Sequence, residues 1–218
     1  MVWPAMTTVA LPMYIPRFNR IEDRDRILQF IDAYGFATVI SGDNDNLVAS
    51  HLPVLLKKGG GEWGTLRSHM ARANPQWRHF ESGKEVLCIF HGPHAYISPS
   101  WYVMQRTVPT WNYGAVHVYG TPTLMDEAAL RQIVLDTTAR YESGRDVPWK
   151  ISLTESEIDK MLKAIVGFSI AITRVEAKFK LGQNRPAEDQ EKMLKSLQAS
   201  TRRDDNELAE FIAAQKPW

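Results

Sequence analysis

The spacing of apolar residues predicts a helix near the start of the chain. Between Ile27 and Tyr34, apolar residues recur every three or four positions, which is typical of an amphipathic helix, and Gly35 supplies a stop signal. Asn19, followed three residues later by Glu22, has the pattern of a capping box. The sequence therefore predicts a helix that begins at Asn19 and ends at Gly35.

Strand signals follow this helix. The segments FATVI and LVASHLPVLL flank the polar turn SGDNDN, and this arrangement predicts a β-hairpin. Pro53 has no backbone N–H to donate, so we expect the second strand at a sheet edge or with a bulge. The segment WGTLRSHM predicts a third strand.

The middle of the chain alternates with a period of two residues. Asn74 and Pro75 signal a short helix, and Glu85 to His91 predict a further strand. From Trp111 to Gly120, most alternate residues are aromatic or polar and most of the residues between them are small or aliphatic, as in a strand with two different faces. One face is expected to carry Trp111, Tyr113, Ala115, His117 and Tyr119, and the other Asn112, Gly114, Val116 and Val118.

The last third predicts helices around one long strand. Asp126 precedes an amphipathic helix, and Thr154 with Glu157 forms a capping box for the next. Residues 165–179 predict a long strand, and Pro186 opens a charged helix that ends near Leu197. This order predicts a mainly β protein with helices (α+β), a barrel with peripheral helices rather than a doubly wound sheet. Phosphate-loop and dinucleotide glycine fingerprints are missing.

Composition and charge restrict the function classes. The chain has 218 residues, enough for one large domain, and its net charge is only +1. This charge balance argues against a dedicated nucleic-acid binder. Cys88 is the single cysteine and lies in the apolar run VLCIF, so we expect a buried core residue. No apolar run is long enough for a membrane span, and residues 1–13 resemble no signal peptide, so we expect a cytoplasmic protein.

The stretch from Gly92 to Gly120 concentrates aromatic and polar side chains around prolines. Flat rings beside amide and hydroxyl groups suit a flat ligand with polar edges. The alternative interpretation, an aromatic mini-core under a long loop, stays open at this point. The aromatic and amide side chains of interest are Trp101, Tyr102, Trp111, Asn112 and Tyr113.

Two other segments have the composition of an anion site. Arg67 to Asn74 offers arginine, hydroxyl and imidazole donors directly before a predicted helix start, which suits a phosphate. The segment AKFKLGQNR is basic and rich in amides. For the first segment, an ordinary surface arginine pair with a capping asparagine is the favoured interpretation. For the second segment, an ordinary solvated loop stays an open alternative. Metal-binding and serine-hydrolase motifs are both missing, so we predict no metal site.

Several segments together resemble one family. They are MYIPRF, SHLP, HMARANPQW, HGPHAYISPSWY, VPTWNY with AVHVYG, and KFKLGQNR. In this order they resemble the PaiB family of FMN-binding negative transcriptional regulators, from about residue 13 to 197, with residues 198–218 as a helical tail of the same single domain. The family is similar to the flavin split barrels of pyridoxamine-phosphate oxidases and flavin reductases.

The resemblance implies a six-stranded antiparallel barrel and a homodimer with FMN at the subunit interface. It places Ser50, His51, His69, Met70, Arg72 and Asn74 at the flavin phosphate and ribityl chain. It places Trp101, Tyr102, Thr110, Trp111 and Asn112 around the ring system, with the second subunit as one source of these contacts. Lys180, Gln183, Asn184 and Arg185 are expected to close the pocket.

The resemblance also implies a function, with two alternatives. The first expectation is an FMN-binding negative transcriptional regulator, although the charge balance and the lack of a helix-turn-helix give direct DNA binding weak support. The first alternative is a flavin-dependent oxidoreductase that uses FMN with NAD(P)H. The remote alternative is a haem-binding split-barrel protein, with His69 or His94 near the iron.

Overall fold

A computed structural model describes residues 12–43, 46–104 and 106–216, and eight strands of these ranges form one antiparallel sheet. Six of these strands have seven or more residues, as expected for a six-stranded barrel. The other two are short additions of two and three residues. The strands are β1 (Arg20–Ile21), β2 (Phe36–Asp43), β3 (Asn46–Pro53), β4 (Leu55–Lys57), β5 (Thr65–Ala71), β6 (Val86–Ile97), β7 (Thr110–Leu124) and β8 (Ile165–Lys180).

The sheet closes on itself through one continuous segment of chain. The strand order is β3-β2-β6-β7-β8-β5-β4, and β1 pairs with β8. Strand β3 pairs with β2, and β4 pairs with β5. A single residue, Val54, separates β3 from β4. The two ends of the sheet are therefore consecutive in sequence, which produces a barrel. Pro53 is the last residue of β3, at the break between the two pairings, as its missing N–H requires.

Five α-helices of the described residues surround the barrel. They are α1 (Arg24–Ala33), α2 (Glu127–Glu142), α3 (Glu155–Leu162), α4 (Ala187–Gln198) and α5 (Arg203–Gln215). The Thr154 capping box predicted for α3 is present. Asp126 caps α2 by accepting a hydrogen bond from the backbone N–H of Ala129 at 2.8 Å. None of the helices in these ranges is long and apolar enough to cross a membrane.

Strand β7 has the two faces that its alternation predicts. Asn112, Gly114, Val116 and Val118 are buried toward the core, whereas Trp111 on the other face is 53% exposed. The core inside the barrel contains large side chains from several strands and from helix α1. Its fully buried phenylalanines include Phe90, Phe168 and Phe179.

One local prediction was wrong because of pairing between distant residues. Helix α1 begins after Asp23, whose carboxylate accepts from Arg26 N at 3.0 Å, and not at Asn19. Arg20 and its neighbour pair with β8 instead, which holds the backbone extended and prevents an earlier start. The stretch from Gly92 to Gly120 is mostly strand, because a register shift in β6 accommodates Pro93.

Candidate functional site

The first group of predicted site residues lies where β5 ends, and we call Ser50, Arg72 and Asn74 the β5-end group. Asn74 caps the 3-10 helix Pro75–Ser82: its Oδ1 accepts from Gln76 N at 3.0 Å. Its Nδ2 donates to Ser50 Oγ at 2.8 Å. One asparagine therefore fixes the helix start and joins β3 to the end of β5.

Arg72 is held at this position by backbone oxygens rather than by an acid. Its Nε donates to Lys163 O at 2.8 Å and its Nη2 to Ile165 O at 3.0 Å. Within the described ranges, no carboxylate lies at ion-pair distance from Arg72. The guanidinium is therefore oriented in advance while its charge is not neutralised, which is the arrangement that a phosphate requires.

The second group lies where β8 ends, and we call Thr110, Lys180 and Arg185 the β8-end group. The Lys180 ammonium donates to Thr110 Oγ1, and Arg185 Nη2 donates to Thr107 Oγ1 at 2.7 Å. Burial, together with the nearby charges of Lys178 and Arg185, lowers the pKa of Lys180. Three cations thus lie close together, and an anion placed among them would relieve their mutual repulsion.

The aromatic residues of the predicted site divide between surface and interior. The Tyr102 ring is buried and lies under the Arg185 guanidinium, with 4.5 Å between Cζ and the ring centroid. Trp101 is partly buried against the core and Trp111 is exposed. Asn112 is buried, and its Nδ2 contacts Met193 Sδ at 3.3 Å. Trp111 is therefore the aromatic residue of this set with the most surface available to a ligand.

Several other predicted residues have separate surroundings. Met70 is buried in the core. His51 lies on the outer side of β3, where its Nδ1 pairs with Thr38 Oγ1 at 3.0 Å. The Gln183 side chain bonds the backbone of Leu181 and Phe179 and so fixes the turn after β8. Asn184 is exposed. His69 faces α2 and α3 across a cavity that is also lined by Ile165, whose backbone oxygen accepts from Arg72.

Sequence reasoning missed one buried carboxylate near the β8-end group. Asp189 in the first turn of α4 accepts from the backbone N–H groups of Val103 and Met104, at 2.7 and 3.3 Å. It thereby fixes the loop that follows Tyr102. Aspartate is common in the first turn of a helix, where it interacts favourably with the helix dipole. Its position in the sequence therefore gave no sign of this contact with a distant loop.

The two groups lie at opposite ends of one strand. Arg72 bonds the first residue of β8, Ile165, and Lys180 is the last residue of that strand. Strand β8 pairs along its whole length with β5 and then β7, which keeps it extended. Its 16 residues have a contour length of about 50 Å. The two groups therefore belong to opposite ends of the longest strand among the described residues.

The outer side of β2, β6 and β7 is a broad face with many exposed or half-buried apolar side chains, which we call the outer face. Ile89 of β6 lies near its centre, paired with Thr38 on one side and His117 on the other. Phe36, Tyr96 and Trp111 at its margins are exposed. Apolar surface of this extent is typical of a protein–protein interface.

Comparison with solved structures defines the class of protein. The FAD and haem binding protein from Mycobacterium smegmatis has a TM-score of 0.59 at 19% identity, covering 79% of this chain and 78% of that one. The flavocytochrome Anf3 from Azotobacter vinelandii has a TM-score of 0.58 at 15% identity, covering 76% and 72%. These similarities concern the fold alone, and the fold is the split barrel of flavin-binding proteins.

Sequence comparison then gives the family. The family model described as "Putative FMN-binding domain" matches residues 13–174. The Protease synthase and sporulation protein PAI 2 of Bacillus subtilis (strain 168) is 36% identical over 202 residues, which cover 92% of this chain and 96% of that protein. The chain belongs to this PaiB family of flavin-binding split barrels. The family and fold expected from the sequence motifs are thereby confirmed.

Proposed function

We propose that the protein is a homodimer that binds FMN between its subunits, with the β5-end group of one protomer and the β8-end group of its partner at each site. The observation that carries this proposal is the placement of the two groups at opposite ends of β8. A two-fold dimer across the outer face, with its axis perpendicular to the strands, brings unlike ends of two chains together. The choice of FMN among flavins rests on the description of the family model.

The chemistry of both groups suits this ligand. Arg72 is charged, and two backbone oxygens orient its guanidinium for a phosphate. Lys180 and Arg185 provide positive charge, and Lys180 bonds Thr110, the sequence neighbour of Trp111, whose ring offers a flat exposed surface. Bound FMN supplies electron or hydride transfer. The chain itself positions the flavin and limits its contact with water.

Mixing two defective variants tests the shared site. We expect Arg72→Gln and Lys180→Met each to lose FMN binding, because each removes one charge from every site of a homodimer. A heterodimer of the two variants has one doubly altered site and one intact site. With random exchange of subunits, about one quarter of all sites are restored. Flavin absorbance after gel filtration measures this fraction.

The controls separate a shared site from a site within one chain. Arg78 is an exposed arginine on the neighbouring 3-10 helix, so Arg78→Gln should bind FMN like the unaltered protein. If mixing the defective variants restores no flavin although heterodimers form, each site lies within one chain and the shared site is wrong. Full binding by either variant alone would exclude that residue from the site.

We propose further that the flavin-bound dimer acts as a cytoplasmic negative regulator of transcription through a partner or through metabolism rather than by reading DNA itself. The name of the Bacillus subtilis relative connects that protein with protease synthesis and sporulation. The net charge of +1 supports an indirect route, because DNA affinity normally depends on a cationic excess.

A gel-shift titration tests the indirect route. With a promoter fragment at low and at moderate salt, we expect no retention of DNA by the FMN-loaded protein at either salt concentration. Retention that weakens steeply with salt would show phosphate contacts and would overturn the indirect route. Lys84→Glu serves as a charge control, since Lys84 is exposed and belongs to neither site group.

A further inference from the structure

A separate cavity of about 430 Å³ lies between the outer side of β5, helices α2 and α3, and the irregular segment that precedes α3. Its volume is within the range typical of small-molecule sites. The wall residues are almost all apolar. They are Val134, Trp149, Ile151, Leu153, Ile158, Met161, Leu162, Ala164 and Ile165, together with His69 and Thr138.

His69 is the wall side chain with unused hydrogen-bonding capacity. Thr138 Oγ1 already donates to Val134 O at 2.9 Å. By contrast, the His69 ring makes no hydrogen bond in the described part of the chain, and its Nδ1 atom is fully buried. Burial lowers the pKa of His69, so its ring is neutral at pH 7. A neutral imidazole without a partner is unusual beside an apolar space, because buried polar groups are normally hydrogen-bonded.

Four apolar side chains at the entrance are exposed. Trp149 is 53% exposed and Met161 is 61% exposed, and Ile151 and Leu153 are also exposed. The segment that carries Trp149 is held by a hydrogen bond from Trp149 N to Glu142 Oε2 at 2.8 Å. These side chains are therefore fixed around an opening, and a bound apolar molecule would cover them.

We infer that this cavity binds an uncharged, mainly apolar small molecule that carries a ring and one hydroxyl or carbonyl group, which hydrogen-bonds to His69. The cavity walls carry no charged side chain, so they offer nothing to a phosphate or a carboxylate. A flavin ring, with several polar edge atoms, would leave most of them unpaired here. The cavity therefore takes a different ligand from the FMN proposed above, and the inference does not depend on FMN binding. The two sites are neighbours, because Ile165 lines the cavity and its backbone oxygen accepts from Arg72.

A pair of ligands that differ in one hydroxyl group tests this inference. The full-length protein, supplied with FMN, is dialysed against 2-naphthol or naphthalene at pH 7.5, and bound ligand is measured by absorbance. We expect 2-naphthol to bind about tenfold more tightly than naphthalene, because of its hydrogen bond to His69. The His69→Phe variant should bind 2-naphthol about tenfold more weakly than the unaltered protein does. Its affinity for naphthalene should change by less than about twofold.

A filled cavity gives the second test. Val134→Trp places a large ring in the cavity and should abolish binding of both ligands, whereas Leu135→Trp, on the exposed side of α2, should not. Circular dichroism and FMN titration confirm that each variant is folded. Equal affinity for the two ligands, equal losses in His69→Phe, or binding that survives Val134→Trp would overturn the inference, and so would no binding to the unaltered protein.

Discussion

Replacing Phe211 with alanine lowers the free energy of unfolding by about 3–5 kcal/mol, the cost of removing a buried phenylalanine ring from a core. Phe211 belongs to helix α5 but packs inside the fold, with its ring centroid 5.1 Å from Phe179 and 5.8 Å from Phe30. Its ring also lies against Gly114, where a Cβ atom would come within 3.0 Å. Because β7 and α1 already pack closely here, neighbouring residues have little room to move into the space that the ring leaves. A cavity therefore remains in the variant.

Urea unfolding followed by circular dichroism measures this loss. Val147 is 84% exposed, so Val147→Ala should change the free energy of unfolding by less than about 0.5 kcal/mol. Truncation after Ser200 should prevent folding, because it also removes the buried side chains of Leu208 and Ile212. A truncated protein that unfolds at the same urea concentration as the full chain would show that α5 is a dispensable tail.

The second large effect is the loss of the dimer. We expect Ile89→Glu to convert the protein to monomers, because a carboxylate at the centre of the outer face would lose its water on association and gain no partner. Flavin binding should be lost in the same variant, since each proposed site needs groups from two chains. Light scattering coupled to gel filtration measures the mass, and absorbance measures the flavin.

Leu135→Glu is the matched control. Leu135 is an exposed leucine on α2, outside the outer face, so the same change of side chain there should leave both the dimer and the flavin in place. A dimeric Ile89→Glu variant would place the subunit interface elsewhere. A monomeric variant that still binds one FMN per chain would show that the site is complete within one chain.

Much of the local structure could be predicted because it depends on neighbours in sequence. The Thr154 capping box and the alternation of Trp111 to Gly120 are properties of short segments, and both are present as predicted. Local signals failed where a distant strand competed with them. Asn19 has a good capping pattern, but the pairing of Arg20 with Lys178 keeps the chain extended beyond it.

The candidate site was only partly predictable for the same reason. The motifs pointed to Ser50, Arg72 and Asn74, and the structure connects the first and third directly. No local pattern could show that Arg72 and Lys180 lie at opposite ends of β8, or that His69 faces a separate apolar cavity. The contact between Asp189 and the loop after Tyr102 spans 86 positions and was equally hidden.

The sequence by itself determined the family, the order of strands and helices, and which side of β7 faces the core, because these follow from motifs and from the period of neighbouring residues. The tertiary structure alone decided how β3 and β4 close the barrel, where α5 packs, and how far apart the two cationic groups lie. These features depend on pairings between residues distant in sequence, and a local pattern of polar and apolar positions is compatible with many such pairings.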